Sequence, residues 1–280
     1  MRRWVFTHSL TGWRHINSTF VVEIASQGAV TLAVEHCDGS ACLAVANEAT
    51  DDAGRKKTLA TYVSWERDKP VEVDDFDDVP AAKAAWRRAQ CDQRCLEVIA
   101  ALDGINEALV RHLGVPPSFA RSGTDVAVLG QSFGGASAIS CVLGPGGSRF
   151  SYCLLYDPWL EGNGDAMYPL RFRDFVKPLP TSVRRVVVWR NGRSVLWDLC
   201  KDNCEAIAAK CPGSRIHDSP DCGHFAQTDA PIIFESGPLA FVYRAIVGNH
   251  SETDAKASLT AATVQTLDAL EGWFPPKKKK

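Results

Sequence analysis

The chain has no apolar run approaching the ~20 residues that a membrane-spanning helix requires. Its opening, Met1-Arg2-Arg3-Trp4-Val5-Phe6, is basic but turns polar at Thr7-His8-Ser9, so the apolar centre of a secretory signal is missing. These two absences give the expectation of a cytoplasmic protein. Strong charge is absent as well. Thirty-one basic against 33 acidic residues leave a formal net charge of −2, which gives no reason to expect nucleic acid as a partner. There is no internal repeat, no C-x-x-C pair among the ten cysteines and no other metal-ligand spacing. No metal or cofactor is therefore expected.

The cysteines fall instead on helical spacings. Cys91, Cys95, Val98, Leu102, Ile105 and Leu109 mark one apolar face, and Leu196, Cys200, Cys204, Ile207 and Cys211 mark another. They read as reduced packing residues of an intracellular protein. The sequons Asn17-Ser18-Thr19 and Asn249-His250-Ser251 read as chance matches when no export signal accompanies them.

What is present is material for a core. With 45% hydrophobic residues over 280 positions, the chain can build one large α/β domain, expected over residues 1–274 and followed by a basic tail at 275–280. The tail, with Lys277 to Lys280, reads as a solvated end; weak attraction to anionic lipid is the alternative. Strands are predicted at Arg3–Thr7, Val30–Glu35, Asp125–Leu129, Ser151–Tyr156, Arg184–Trp189 and Arg215–His217. Helices are predicted over 14–26, 81–113, 133–142, 195–210, 232–247 and 255–271. The alternation implies a mostly parallel sheet flanked by helices. Residues 45–80, with the acidic cluster Asp74-Asp75-Phe76-Asp77-Asp78, read as a surface excursion.

One stretch carries chemistry. Gly130-Gln131-Ser132-Phe133-Gly134-Gly135 follows the apolar run Val126 to Leu129 and precedes the small residues Ala136-Ser137-Ala138. A serine with glycines at i−2 and i+2 between a buried strand and a helix fits a nucleophile elbow, whose sharp turn lifts the hydroxyl above the sheet. Glycine-rich strand–helix turns also bind phosphate, so the hexamer alone leaves two readings.

A serine nucleophile needs a base and an acid to orient that base. In sheets of the α/β-hydrolase type the chain order is Ser, acid, His, which leaves only His217, His224 and His250. His224, in Asp221-Cys222-Gly223-His224-Phe225, has the loop context a base requires. His217 lies near a strand end, and His250 follows a predicted helix. Asp157 follows the strand Tyr152 to Tyr156, at the carboxyl end where ligand groups gather. The rival acid is Asp198. The Phe133 amide supplies one oxyanion donor, and the Leu10 amide, in the loop after the first strand, a second. His8 precedes the serine, against the catalytic order.

Assembled, these pieces resemble the platelet-activating factor acetylhydrolase family of serine esterases. Val5-Phe6-Thr7-His8-Ser9-Leu10 is similar to its V-F-S-H-G-L loop, and Ala33-Val34-Glu35-His36-Cys37-Asp38-Gly39-Ser40-Ala41 to its A-V-E-H-R-D-x-S-A segment. Val128 to Gly135 resembles V-I-G-H-S-F-G-G, and Leu155-Tyr156-Asp157-Pro158-Trp159 its L-D-A-W. The resemblance implies an α/β-hydrolase fold and calcium-independent hydrolysis of short sn-2 acyl esters of phospholipids. Ser132, Asp157 and His224 would form the triad, and Leu10 and Phe133 the oxyanion hole. The partner would be a phospholipid or small ester, with transient contact to a membrane surface.

Gln131, Cys37, Ser9 and Thr11 depart from the family's residues. The family's first strands are also absent, which would bare the Val30–Glu35 strand as a sheet edge. Either the polypeptide is a fragment or mis-started, the preferred reading, or a partner covers that edge. A hydrolase for another small ester or thioester, and a non-catalytic remnant, are the competing functions.

Overall fold

The computed structural model describes residues 2–44, 60–64, 79–120, 125–160, 178–194, 196–229 and 255–269. Six strands form one parallel sheet: β1 (Arg2–Thr7), β2 (Ala29–Val34), β5 (Val126–Gln131), β6 (Tyr152–Tyr156), β7 (Arg185–Asn191) and β8 (Arg215–Ser219). A separate antiparallel pair joins β3 (Leu43–Ala44), just before the stretch read as a surface excursion, to β4 (Ala60–Thr61) within it. The helices are α1 (Ser18–Ser26), α2 (Val79–Leu113), α3 (Pro117–Ala120), α4 (Phe133–Leu143), α5 (Leu196–Ala209) and α6 (Ala255–Ala269). The helix predicted over 232–247 falls outside the described residues.

The central strands are buried on both faces, which is why their sequences are continuous apolar runs rather than alternating ones. Every residue of β5 is buried. Successive side chains nevertheless go to opposite sides. Val5, Val128, Cys153, Leu155, Val186 and Val188 meet α2, α4 and α5, packing on Val98, Leu102, Ile139, Cys200 and Ile207. Trp4, Phe6, Leu129, Leu154, Tyr156 and Trp189 face the other way, onto Phe20 and Ile24 of α1 and Leu259 of α6. The result is a three-layer sandwich. On the second face, Tyr156, Trp189 and His217 stack in a row across three strands, with centroids 4.5 and 5.3 Å apart. His217 is thus a packing residue of β8.

The predicted helix faces are borne out for Cys91, Cys200, Cys204 and Cys211, all buried, but Cys37 and Cys42 are exposed. All ten cysteines are unpaired.

Strand order β2-β1-β5-β6-β7-β8 decides where a site can form. From β1 the chain moves outward to β2, at one edge of the six-stranded sheet, and then returns through α2 to β5 on the opposite side of β1. The direction of winding reverses between β1 and β5. Helices therefore leave in opposite directions from the carboxyl ends of these two strands, which opens a crevice there. Thr7 and Gly130 are register partners at that point, so the loops beginning at His8 and Ser132 bound the crevice.

Candidate active site

β5 ends at Gln131, and α4 begins at Phe133. One residue makes the whole turn. Ser132 takes φ 57° and ψ −121°, a conformation that L-residues adopt only under constraint. The constraint is steric and comes from the flanking glycines. A Cβ on Gly130 would stand 2.1 Å from the Gly134 carbonyl oxygen, and one on Gly134 would stand 2.1 Å from that of Thr7. Strand, helix and the end of β1 therefore touch backbone to backbone. Gly134→Ala is expected to cost more than about 3 kcal/mol in urea unfolding, because backbone rather than a pliable side chain must move. In the same assay Gly104→Ala, an α2 position with open space around it, is expected to gain roughly 0.5–1 kcal/mol.

Three non-glycine residues among those described have positive φ: Thr11, Ser132 and Asp157. All three lie on loops leaving the carboxyl ends of β1, β5 and β6. Such strained positions each cost on the order of 1–3 kcal/mol and gather where geometry is dictated by function.

Asp157 stands beside the elbow. The Ser132 amide donates to Tyr156 O at 3.0 Å, and the Trp159 amide donates to Ser132 O at 2.9 Å. The Asp157 side chain is buried; Oδ1 accepts the Asn191 amide at 3.2 Å, and Oδ2 meets His224 Nδ1 at 2.5 Å. An ionised carboxylate only accepts, so Nδ1 carries the proton and Nε2 is left as the basic nitrogen. The loop bearing His224 is tied down from three sides. Gln131 Nε2 donates to His224 O at 2.9 Å, Asn191 Nδ2 donates to Gly223 O at 2.9 Å, and Ser194 Oγ lies 3.4 Å from His224 Nδ1. Asn191 and Gln227 exchange two amide hydrogen bonds of 2.8 Å each.

The structure thus brings Ser132, Asp157 and His224 to neighbouring loops over β5 and β6. It leaves the rival acid Asp198 exposed in the first turn of α5. His250 lies outside the described residues. Phe133 is the first residue of α4, so its amide has no acceptor within the helix. Leu10 sits in a turn closed by Gly12 N donating to Ser9 O at 3.1 Å. Among the described residues, neither amide donates to a backbone carbonyl outside the helices and strands.

Sequence reasoning missed two groups of residues. One is the Asn191–Gln227 clamp. The other is a polar cluster behind the Leu10 loop: His8, His36, Asp38, Ser40, Arg94 and Glu97. His36 is fully buried, with Nε2 2.7 Å from Thr7 Oγ1 and Nδ1 2.6 Å from Glu97 Oε2. Burial, reinforced by Arg94 and His8, pushes its imidazole well below the usual range. Burial likewise lowers His8. The signal for the cluster was the Glu35–Ala41 segment, to which no role could be attached from sequence alone. No three His, Cys, Asp or Glu side chains among the described residues are placed to hold a metal ion.

The family model of platelet-activating factor acetylhydrolase, isoform II, matches residues 3–179. The chain belongs to this family. Platelet-activating factor acetylhydrolase of Gallus gallus is 28% identical over 199 residues, 69% of this chain and 44% of its own length. That of Bos taurus is 28% identical over 172 residues, 59% of this chain and 36% of its own. The chain therefore spans under half the length of these relatives. A solved ferulic acid esterase from Streptomyces cinnamoneus matches with a TM-score of 0.62 at 17% identity, covering all of this chain and 71% of that one. This last likeness shows the α/β-hydrolase-type fold.

The acetylhydrolase match takes in Leu10, Ser132, Phe133 and Asp157 and stops short of His224, whose place is given by its bond to Asp157. Against the family's residues, Gln131 is buried and holds the His224 loop. Thr11 has φ 58°, a glycine-like conformation in a β-branched residue, with its hydroxyl turned back onto Leu10 O at 2.6 Å. Cys37 points outward, and its amide donates to Glu97 at 3.1 Å.

Proposed function

We propose that this chain is a serine esterase that removes the short sn-2 acyl group of platelet-activating factor and related phospholipids through an acyl-enzyme on Ser132. The observation that carries the reading is the contact of His224 Nδ1 with a buried Asp157 on the strand end next to the strained Ser132. An imidazole oriented in this way has Nε2 unprotonated and ready to accept the serine proton.

In this scheme Ser132 Oγ attacks the ester carbonyl while His224 Nε2 takes its proton. The Leu10 and Phe133 amides stabilise the oxyanion that develops. Collapse of the tetrahedral adduct breaks the carbonyl carbon–alkoxide bond, and His224 protonates the departing lyso-lipid oxygen. Water, deprotonated by His224, then cleaves the acyl-enzyme and restores the serine. No step calls for calcium.

The test compares a phospholipid bearing an sn-2 acetyl group with its long-chain counterpart, each with and without a chelator. The acetyl ester is expected to be turned over at least about tenfold faster in kcat/KM, a margin within reach of a pocket that discriminates methylenes, and the chelator is expected to change neither rate. Equal rates, or turnover only of unrelated small esters, would assign the same chemistry to another substrate. A fluorophosphonate reagent supplies the parallel check, and a folded chain that is not labelled at Ser132 sinks the reading.

A further inference from the structure

We infer that Arg94 is the positioning residue of the oxyanion site, fixing both amide donors from one guanidinium; this assignment rests on the serine-esterase reading above. Arg94 lies in the middle of α2, and both its side chain and that of its ion-pair partner Asp38 are completely buried. Arginine on a helix flanking a sheet ordinarily points to water. A buried guanidinium is tolerated only where its five N–H groups find acceptors.

Here all three guanidinium nitrogens find acceptors, one in the loop that carries Leu10 and two in the segment that follows β2. Nη1 donates to His8 O at 2.6 Å. Nε donates to Asp38 Oδ2 at 3.0 Å, and Nη2 to Ser40 Oγ at 2.5 Å. The backbone of residues 40–42 is in turn sewn to the same loop on the far side of Leu10. Thr11 N donates to Ser40 O at 2.7 Å, and Cys42 N donates to Gly12 O at 3.1 Å. The Leu10 amide is therefore bracketed, by His8 O before it and by Ser40 after it, and Arg94 grips both brackets.

The same cation covers the other donor. The guanidinium carbon lies 4.6 Å from the centroid of the Phe133 ring, which is fully buried. That contact fixes the residue whose amide opens α4. Ser132, Asp157 and His224 have no hydrogen bond to Arg94; their supports are Gln131, Asn191 and Ser194. Loss of Arg94 should then loosen the oxyanion donors while leaving nucleophile and base in place. Lysine cannot substitute, because one ammonium cannot span His8 O, Asp38 and Ser40 Oγ together while stacking on a ring.

The experiment uses the full chain with Arg94→Lys, and with the double variant Arg94→Met/Asp38→Asn, which strands no buried charge. Ester turnover, inhibition by a trifluoromethyl ketone and thermal unfolding are measured together. The ketone is chosen because serine addition gives it an oxyanion that must occupy the same donors, the serine proton passing to His224. In both variants kcat is expected to fall about 100-fold with KM within about twofold. Ketone affinity should weaken in proportion, while the double variant stays folded. A purely structural role predicts a loss that follows the unfolded fraction and leaves ketone affinity per folded molecule unchanged; that result overturns the assignment. So does wild-type turnover in Arg94→Lys. Absence of both fluorophosphonate labelling and turnover in the wild-type chain overturns the Ser132 reading itself, and the assignment with it.

Discussion

Ser132→Ala is expected to lower ester turnover on the order of 10⁵–10⁶-fold and to abolish labelling by a fluorophosphonate, with thermal stability unchanged or raised. The magnitude follows from how a nucleophile acts. Without Oγ no acyl-enzyme can form, and His224, held by Asp157, has no serine proton to take, so removing the serine costs nearly as much as removing the whole triad. What survives is the oxyanion site acting on direct attack by water. The stability expectation has a separate origin. Alanine still carries a Cβ at φ 57°, so the backbone strain remains, but a hydroxyl in a largely buried position is lost. Functional groups held in strained, poorly solvated sites commonly cost stability. A variant that keeps turnover within tenfold of the wild type would remove Ser132 from the mechanism and return the elbow to the phosphate-binding reading.

How much of this site could be read from the chain depends on how far its parts lie apart. The elbow was legible because a buried strand, a turn and a small-residue helix are consecutive, and each leaves a local mark: Val126 to Leu129, the glycines, Ala136 to Ala138. His224 and Asp157 were legible through chain order. The strands came out within one or two residues. The true ends at Gln131 and Asn191 lie beyond the predicted ones because these polar residues, which close the apolar runs, hold the His224 loop with their side chains.

The supporting residues had no such mark. Asn17 stands at the N-cap position of α1, but its side chain donates to Gln227 O, 210 positions away, rather than to the helix. The helix predicted from residue 14 accordingly starts at Ser18. Arg94 sits at the i+3 position from Cys91 on a face that reads as apolar, and nothing local says that a cation belongs in it. Its acceptors, His8 O and Ser40 Oγ, are 86 and 54 residues away. Polar side chains that pair across elements follow no period, so hydrophobic patterning is blind to them. The β3–β4 pair was missed for a simpler reason: two residues per strand are too few to set a pattern.

Asp157→Asn is the second large expected effect, a fall in kcat of about 10⁴-fold with the fold retained. The amide has the shape of the carboxylate, and its oxygen can still accept the Asn191 amide, now at 3.2 Å. Its NH₂ group would then face His224 Nδ1, where Oδ2 now lies at 2.5 Å. Two donors cannot share that contact. His224 must shift its proton to Nε2, which loses the lone pair needed to deprotonate Ser132, and an imidazolium formed during attack would lack its counter-charge; a wrong tautomer of this kind costs about 10⁴ in a serine triad. Asparagine is also the replacement that isolates chemistry from conformation. Asp157 has φ 42°, a region that asparagine and aspartate enter more readily than other side chains. Asp157→Ala should therefore lose comparable activity and also stability, whereas Asp157→Asn should lose activity at nearly wild-type thermal midpoint. Asp198→Asn, changing an exposed residue on α5, should lose neither. If Asp157→Asn retained more than a tenth of wild-type kcat, the carboxylate would be a packing and turn residue, and the orienting acid would have to be sought elsewhere in the chain.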